Sequence, residues 1–452
     1  MDALRSGTSS DLVVVVPGIM GSELTDAVTG ETLWGLRDPR WYVKAWAGGS
    51  ALRTLALTDD ERAGRYGRVR ATGLLRFPAF APVLRGFEPY GRLLDGVRRV
   101  TLDPSAVVEF AYDWRLPVHH NAALLAEFID ARLGEWRARP GLPAPGEARA
   151  VVVAHSMGGL LTRHATAIPG VAGMVRRVIT LGTPFYGAAK AAVLLSSGEG
   201  GPLPLPKARL RDLARTLPGL YDLLPTYRCV DTGDGARRLE PSDVAGFGGD
   251  AELAAEALQR SALVAEVGLP EHVQVVGAHQ PTVQSIVLDA GTVQGRLYTC
   301  KPAAAGGLER VDLAGDGTVY RESAQLHTVA AMPLAQSHGA IARSDEAVIA
   351  VVDALTDRRT GPWLGAGDLG LDVPDLVEPA VPFTVAVSGV DHPLDVSCRL
   401  VDAATERMVQ AVALQRRDGR VAGLATTPAP GVYRVEVTGG GASAVTQLLM
   451  AA

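Results

Sequence analysis

Ser156 stands in Val151-Val-Val-Ala-His-Ser-Met-Gly-Gly159, where a β-forming run meets a turn of small residues and then a helix-compatible segment, Leu160 to Ala167. This is the build of a nucleophile elbow, whose usual pattern is Gly-x-Ser-x-Gly. Ala154 and Gly158 take the small positions, which must be small because larger side chains would collide across so tight a turn. A serine hydroxyl is a poor nucleophile until a base takes its proton. The base is normally a histidine that a carboxylate orients and supports. Asp316 lies between glycines in Leu313-Ala-Gly-Asp-Gly-Thr-Val-Tyr320, a loop setting suited to such a carboxylate. His338 lies in Gln336-Ser-His-Gly-Ala340, just ahead of a helix-like run, Glu346 to Leu355. Taken alone, Asp-Gly is more often a turn, and a lone histidine is usually a surface or core residue. His327 and His279 are rival bases. His338 is preferred because Gly339 leaves room around the ring and a helix follows. His155 precedes the serine and reads as structural, facing away from it.

The chain order Ser156, Asp316, His338 is the order of the α/β-hydrolase fold. Acyl transfer to serine also needs fixed N–H groups for the developing oxyanion, each worth about 3–4 kcal/mol of barrier. Met157, directly after the nucleophile, is the expected first donor. The second should come from Leu12-Val-Val-Val-Val-Pro-Gly-Ile-Met-Gly-Ser22, where a strand ends in a turn; Ile19 is the choice and Gly18 the near rival.

Five segments in order are similar to the lecithin:cholesterol acyltransferase family, which includes lysosomal phospholipase A2 and phospholipid:diacylglycerol acyltransferase. They are Pro17-Gly-Ile-Met-Gly-Ser-Glu-Leu24, Tyr112-Asp-Trp-Arg115, Ala154-His-Ser-Met-Gly-Gly159, Leu181-Gly-Thr-Pro-Phe-Tyr-Gly187 and Gly315-Asp-Gly-Thr-Val319. The resemblance covers about residues 10 to 357. It implies an α/β-hydrolase fold with cap insertions and acyl-ester chemistry on lipids. It maps the nucleophile to Ser156, the acid to Asp316 and the base to His338, with the Ile19 and Met157 amides as oxyanion hole. The chain departs from the family in having no cysteine between residues 25 and 75, where relatives outside the cytosol carry a disulfide-closed lid. Ile19 stands where an aromatic is common, and the region after residue 375 has no counterpart in the family core.

The elements that must position these residues follow from the apolar pattern. Runs at Leu12 to Val16, Ala106 to Phe110, Ala150 to Val153, Val175 to Leu181 and His272 to Val276 read as buried strands of a mostly parallel sheet. Helical segments such as Ala122 to Arg139 alternate with them, giving an α/β class. Residues 188–271 change pattern and read as a cap inserted into a hydrolase domain spanning 10–360. Residues 361–380, rich in Gly, Pro and Asp, read as a linker. Residues 381–452 show short alternating runs bounded by turns, the pattern of a small immunoglobulin-like β-sandwich. Trp34, Trp114, Pro184 and Phe185 are expected to line the pocket. Trp34, Trp41 and Trp46 form an aromatic cluster suited to the core or to a bilayer interface.

Composition narrows the function classes. The chain has 452 residues, 47% of them apolar, and a net charge of −5, so no basic field favours nucleic acid. Three scattered cysteines, Cys229, Cys300 and Cys398, offer neither a disulfide framework nor a metal spacing, and neither metal nor cofactor is expected. Lysine is rare beside arginine, and with abundant Ala and Gly this points to a bacterial source. Met1 to Asp11 lacks the charged-then-apolar design of a signal peptide, and no apolar run approaches the roughly 20 residues that span a bilayer. The expected location is the cytoplasm, with contact at the inner membrane face. The expected activity is that of a serine acyl-ester hydrolase or O-acyltransferase on lipids, of lipase or phospholipase type. The other readings are an esterase on soluble substrates, and an interaction protein with an inactive hydrolase domain whose sandwich binds a protein partner.

Overall fold

The computed structural model describes residues 9–35, 50–75, 90–199, 207–303, 307–358, 369–417, 420–439 and 442–451. The valine-rich runs form a six-stranded sheet. Its spatial order is Ala331–Leu334, Val273–Gly277, Val175–Leu181, Ala150–His155, Leu12–Val16, Val107–Glu109, with every pairing parallel. Successive side chains of a strand point to opposite faces, and here both faces are dry. Leu12, Val14, Val16, Val152 and Ala154 enter a core beneath helices Val118–Arg137 and Met157–Thr166. Val13, Val15, Val151, Val153 and Ile179 enter a second core beneath Gly91–Arg98 and Asp345–Leu355. A strand buried on both sides gains apolar burial at each position, about 1.5–3 kcal/mol per large aliphatic side chain. That is why Leu12–Val16 and residues 150–154 read as unbroken apolar runs. The arrangement is that of an α/β-hydrolase.

Two long-range contacts adjust the expected boundaries. The helix expected from Ala122 begins at Val118, whose N–H donates to the Asp222 carboxylate at 2.7 Å. Asp222 in turn pairs with Arg260 at 2.9 Å. An N-terminal amide that a local side chain would normally satisfy is here satisfied by a residue far along the chain. The cap region holds helices Ala189–Ser197, Lys207–Ala214, Pro218–Tyr221, Pro241–Gly246 and Ala251–Leu263. After residue 271 the chain returns to the hydrolase sheet through Val273–Gly277 and then leaves it again. Val230–Asp231 pairs with Ser285–Asp289, which also pairs with Thr292–Arg296, so residues 285–296 complete the insertion's own four-stranded sheet.

The C-terminal part is a two-sheet sandwich. One sheet runs Gly370–Asp372, Phe383–Ser388, Arg420–Ala425, Gln415–Arg417; the other runs Leu376–Val377, Ala442–Ala451, Gly431–Gly439, Val396–Asp402, Met408–Val412. Val385, Val387 and Val421 from the first sheet meet Leu400, Val435 and Val445 from the second in one core. The expected linker, 361–380, is corrected in its second half, where Gly370–Asp372 and Leu376–Val377 are strands of the sandwich. Short edge strands of two or three residues leave too little alternation to be read from sequence.

The Tyr112-Asp-Trp-Arg115 motif is a buried anchor. Arg115 is fully buried and donates to Asp113 Oδ1 at 2.9 Å, Asp113 Oδ2 at 2.7 Å, Glu61 Oε1 at 2.7 Å and the Leu55 carbonyl at 3.1 Å. Segment 50–68 is thereby fastened to the hydrolase body. Trp34 and Trp114 pack edge to face at 5.3 Å, both buried in the main core, with Trp34 Nε1 donating to the Met20 carbonyl. Trp41 and Trp46 lie outside the described residues. No helix among the described residues is long and apolar enough to cross a membrane, and no metal-ligating cluster occurs among them.

Arg115→Ala takes the guanidinium from buried Asp113 and leaves Glu61 with Arg68 as its cation. Breaking a buried pair in this way typically destabilises by about 3–5 kcal/mol. A drop of that size in urea-unfolding free energy is expected, with no recovery in Arg115→Met, which restores bulk without charge.

Candidate active site

The strand Ala150–His155 ends where the helix Met157–Thr166 begins, and Ser156 alone makes the turn. Its backbone sits at φ 51°, ψ −125°, outside the regions that L-residues ordinarily occupy. Three contacts hold it there. Ser156 N–H donates to the Leu181 carbonyl at 2.9 Å. A Cβ on Gly158 would come 2.6 Å from the Pro17 carbonyl oxygen, so the helix start lies directly on the end of Leu12–Val16. Gly159 is pressed as closely against Thr183.

The structure brings Ser156, His338 and Asp316 together. His338 Nε2 lies 2.8 Å from Ser156 Oγ, and His338 Nδ1 lies 2.7 Å from Asp316 Oδ2. Asp316 is buried. Its other oxygen accepts from the N–H groups of Thr318 at 2.9 Å and Val319 at 2.7 Å, so the carboxylate is fixed at both ends. His338 N–H donates to the Asp316 carbonyl at 2.7 Å, joining the two loops through their backbones as well. Lys190 Nζ donates to the Gly317 carbonyl at 3.2 Å. The rival His327 is exposed, and neither it nor His279 meets Ser156. Glycines make the room: a Cβ on Gly182, at φ +59°, would lie 3.1 Å from Asp316 Oδ2 and 3.4 Å from His338 Nδ1. One on Gly277 would lie 2.2 Å from Asp316 Cβ.

Gly18 approaches Ser156 so closely that a Cβ there would come 2.9 Å from Ser156 Cβ. Its N–H is engaged, donating to Tyr90 Oη at 2.9 Å. The Ile19 N–H has no acceptor among the described residues. Met157 heads its helix, where the first amides have no intrahelical acceptor. Pro184 and Phe185 border a cleft with Val118, Leu160, Arg163 and His164, along the outer face of the elbow helix and not on Ser156 itself. Trp34 and Trp114 border no part of that cleft. Each packs against the other in the main core, where burial of two large rings outweighs exposure.

Residues 83–276 match the model of the lecithin:cholesterol acyltransferase family. The match covers less than half of the chain, and it is a likeness to that family. The matched stretch takes in Tyr90, Asp113, Ser156 and Gly182 and stops before Asp316 and His338. None of the curated proteins compared is a significant match. Among solved structures, the Tle4–Tli4 complex aligns at TM-score 0.52 and 15% identity, over 76% of this chain and 98% of that one. At that identity the likeness is one of fold. The mature form of Bacillus licheniformis lipase BlEst2 aligns at TM-score 0.33 and 13% identity over 78% and 96% of the two chains. Phospholipase PlaB from Legionella pneumophila aligns at 0.28 and 10% identity over 97% and 90%. Scores that low carry no argument.

The residue of this family-like motif that sequence reasoning undervalued is His155. Its ring lies 5.1 Å from the His338 ring, and it is not merely structural filling. His155 Nε2 lies 3.1 Å from the His338 carbonyl oxygen and Nδ1 lies 3.0 Å from Tyr90 Oη. A carbonyl only accepts, so Nε2 carries the proton; Nδ1 then accepts from the Tyr90 hydroxyl, which accepts from Gly18 N–H. One chain of neutral groups therefore runs from the turn beside Ser156 to the backbone of His338. Burial, and then the nearby His338, push His155 down to about 3 from 6.5, and burial pushes the Tyr90 hydroxyl up. Tyr90 carries no local sequence signal, because its partners lie 72 and 65 residues away.

A histidine that is neutral in the fold but titrates near 6.5 when unfolded binds its proton only in the unfolded state between those values. Stability contributed by His155 is thus present above about 6.5 and lost as pH falls toward 3. The urea midpoint of the wild type should fall across that window, and His155→Gln should flatten the slope. Parallel slopes for the two proteins would contradict a neutral buried His155.

Proposed function

We propose that this protein is a serine acyl-ester hydrolase or O-acyltransferase acting on lipids through an acyl-enzyme intermediate. The observation that carries the reading is the placement of His338, 2.8 Å from Ser156 Oγ on one side and 2.7 Å from Asp316 on the other. Asp316 accepts the Nδ1 proton, which leaves Nε2 as the basic nitrogen facing the serine. Ser156 Oγ attacks the acyl carbonyl carbon while its proton passes to His338 Nε2. The tetrahedral oxyanion is met by the amides of Ile19 and Met157. Gly18 is passed over because the Tyr90 hydroxyl holds its N–H. His338 then returns the proton to the leaving alkoxide as the carbon–oxygen bond breaks, and the acyl group stays on Ser156. Water or an acceptor alcohol attacks the acyl-enzyme, giving its proton to His338. Collapse of the second tetrahedral intermediate frees the serine, which is reprotonated by the same ring. Asp316, held by two backbone N–H donors, stabilises the imidazolium.

The lipid class rests on the family match over residues 83–276. The buried apolar insertion beside the elbow is consistent with it: Pro218–Tyr221 packs on Met157, with Gly219 N–H donating to the Arg115 carbonyl at 3.1 Å. Such walls exclude water and receive acyl chains.

Ser156→Ala is expected to abolish release of fatty acid from phospholipid vesicles while leaving thermal unfolding unchanged. Undiminished turnover would refute the assignment. Mass spectrometry of products with and without an added long-chain alcohol separates hydrolysis, which yields only free acid, from transfer, which yields a new ester. Gly182→Ala pushes a methyl toward the acid–base pair. A displacement of a few tenths of an ångström there should lower kcat by roughly 10-fold with little change in KM, measured on a short-chain ester.

A further inference from the structure

The loops that carry Asp316 and His338 are fastened on their outer side by the C-terminal sandwich. The strand Ala331–Leu334, which leads into His338, is the edge of the hydrolase sheet, so no further strand of that sheet supports the loop after it. The sandwich occupies that side. Gln336, buried two residues before His338, donates from Nε2 to the Ala444 carbonyl at 2.5 Å, and Ser337 Oγ donates to the Thr446 carbonyl at 3.0 Å. Both acceptors lie on Ala442–Ala451, the penultimate strand of the five-stranded sheet. Ala335 is itself part of the sandwich core.

The acid loop is held by the other sheet. Gln280 N–H donates to the Gly315 carbonyl at 2.9 Å, and Gly315 N–H returns a bond to the Gln280 carbonyl at 3.1 Å. The Gln280 side chain is buried. Its Nε2 donates to the Leu369 carbonyl at 3.2 Å and its Oε1 accepts from Leu371 N–H at 3.0 Å. Leu369 and Leu371 bracket Gly370, which lies so close to the His279 carbonyl that a Cβ there would come within 2.3 Å. A single glutamine thus joins the backbone beside Asp316 to the first strand of the sandwich.

We propose that the sandwich is a working part of the catalytic site, and that Gln280, Gln336 and Ser337 are positioning residues through which it sets Asp316 and His338. The inference rests on the triad reading above. Loops are ordinarily the mobile part of a fold, whereas proton transfer needs the ring within hydrogen-bond reach of the serine. Two buried amides and a half-buried hydroxyl that bond to strand backbone transfer the rigidity of a sheet to those loops. The two loops are reached from two different sheets, so loss of either contact would loosen one member of the acid–base pair.

The test uses the full chain carrying Gln280→Ala, Gln336→Ala, Ser337→Ala and Ser337→Thr, with rates taken per folded molecule. On a monomeric short-chain ester, the two glutamine variants should lose about 10- to 100-fold in kcat with KM held within about twofold. Ser337→Ala should lose a few-fold, and Ser337→Thr, which keeps the hydroxyl, should recover it. The rate of Ser156 labelling by a serine-reactive phosphonate should fall in parallel. Leu394→Ser, at an exposed sandwich position far from these bonds in sequence, is the control and should match the wild type. Should a glutamine variant not fold, the Ser337→Ala and Ser337→Thr pair decides. The low-field proton resonance of His338 Nδ1–H reads the same geometry without turnover. It should shift or broaden in the alanine variants and stay put in the control. Unchanged kcat, labelling and resonance in folded alanine variants would overturn the inference. A wild type without Ser156-dependent turnover would instead overturn the functional reading, and the resonance would still report on the clamp.

Discussion

The backbone of Ser156 cannot rest where it does unless three neighbours force it to. A non-glycine residue at φ 51°, ψ −125° carries strain of about 1–3 kcal/mol. It persists because Ser156 N–H is held by Leu181, because Gly158 lets the helix start sit on Pro17, and because Gly159 lets it sit on Thr183. Each contact comes from an adjacent strand of the parallel sheet. The sheet therefore does more than bury apolar surface: its register decides that the hydroxyl projects from the C-terminal end of the strands. There the turn after Leu12–Val16 and the loops after Val175–Leu181, Val273–Gly277 and Ala331–Leu334 also converge.

Polar order around that point is maintained without placing spare charge in the interior. Gly18, Tyr90, His155 and the His338 carbonyl form a chain in which each donor meets one acceptor, and burial keeps both Tyr90 and His155 neutral. Buried polar groups are tolerable only when paired, and here the pairing also links the turn that flanks the serine to the loop that carries the base. Asp316 is the charged member. Two backbone N–H groups and the His338 ring surround it, which is how a carboxylate can be buried and remain an acceptor.

Outside this centre, three separate pieces lock onto the same frame. Arg115 fastens segment 50–68 through Glu61 and Leu55. Asp222 fastens the insertion to the start of Val118–Arg137. Gln280, Gln336 and Ser337 fasten the sandwich. In each case a buried or half-buried polar side chain bonds to backbone or to a charged partner distant in sequence. The hydrophobic cores supply cohesion, and these few directional contacts supply register.

Much of this was legible in the linear chain. Unbroken apolar runs at Leu12–Val16 and Ala150–Val153 announced strands covered on both faces, because a half-exposed strand would have alternated. Ala154, Gly158 and Gly159 marked the elbow because only small residues pass so tight a turn. The order of Ser156, Asp316 and His338 pointed to a hydrolase site because each lay beside residues that end a strand or open a helix. What composition and spacing could not express were contacts between residues far apart. Tyr90 on His155, Asp222 on Val118, Val230 beside Ile286, and Gln280 bonded to Leu371 have no local pattern, since a hydrogen bond is satisfied by position in space whatever the sequence separation. The same holds for the short strands at 370–372 and 376–377, whose two or three residues acquire strand character only from the sheets they join. Local chemistry and periodicity were thus determined by the amino-acid sequence read alone. Which loop meets which, and hence which of Gly18 and Ile19 keeps a free amide and what stands behind His338, was decided by tertiary packing, because those outcomes depend on distances that only the folded chain defines.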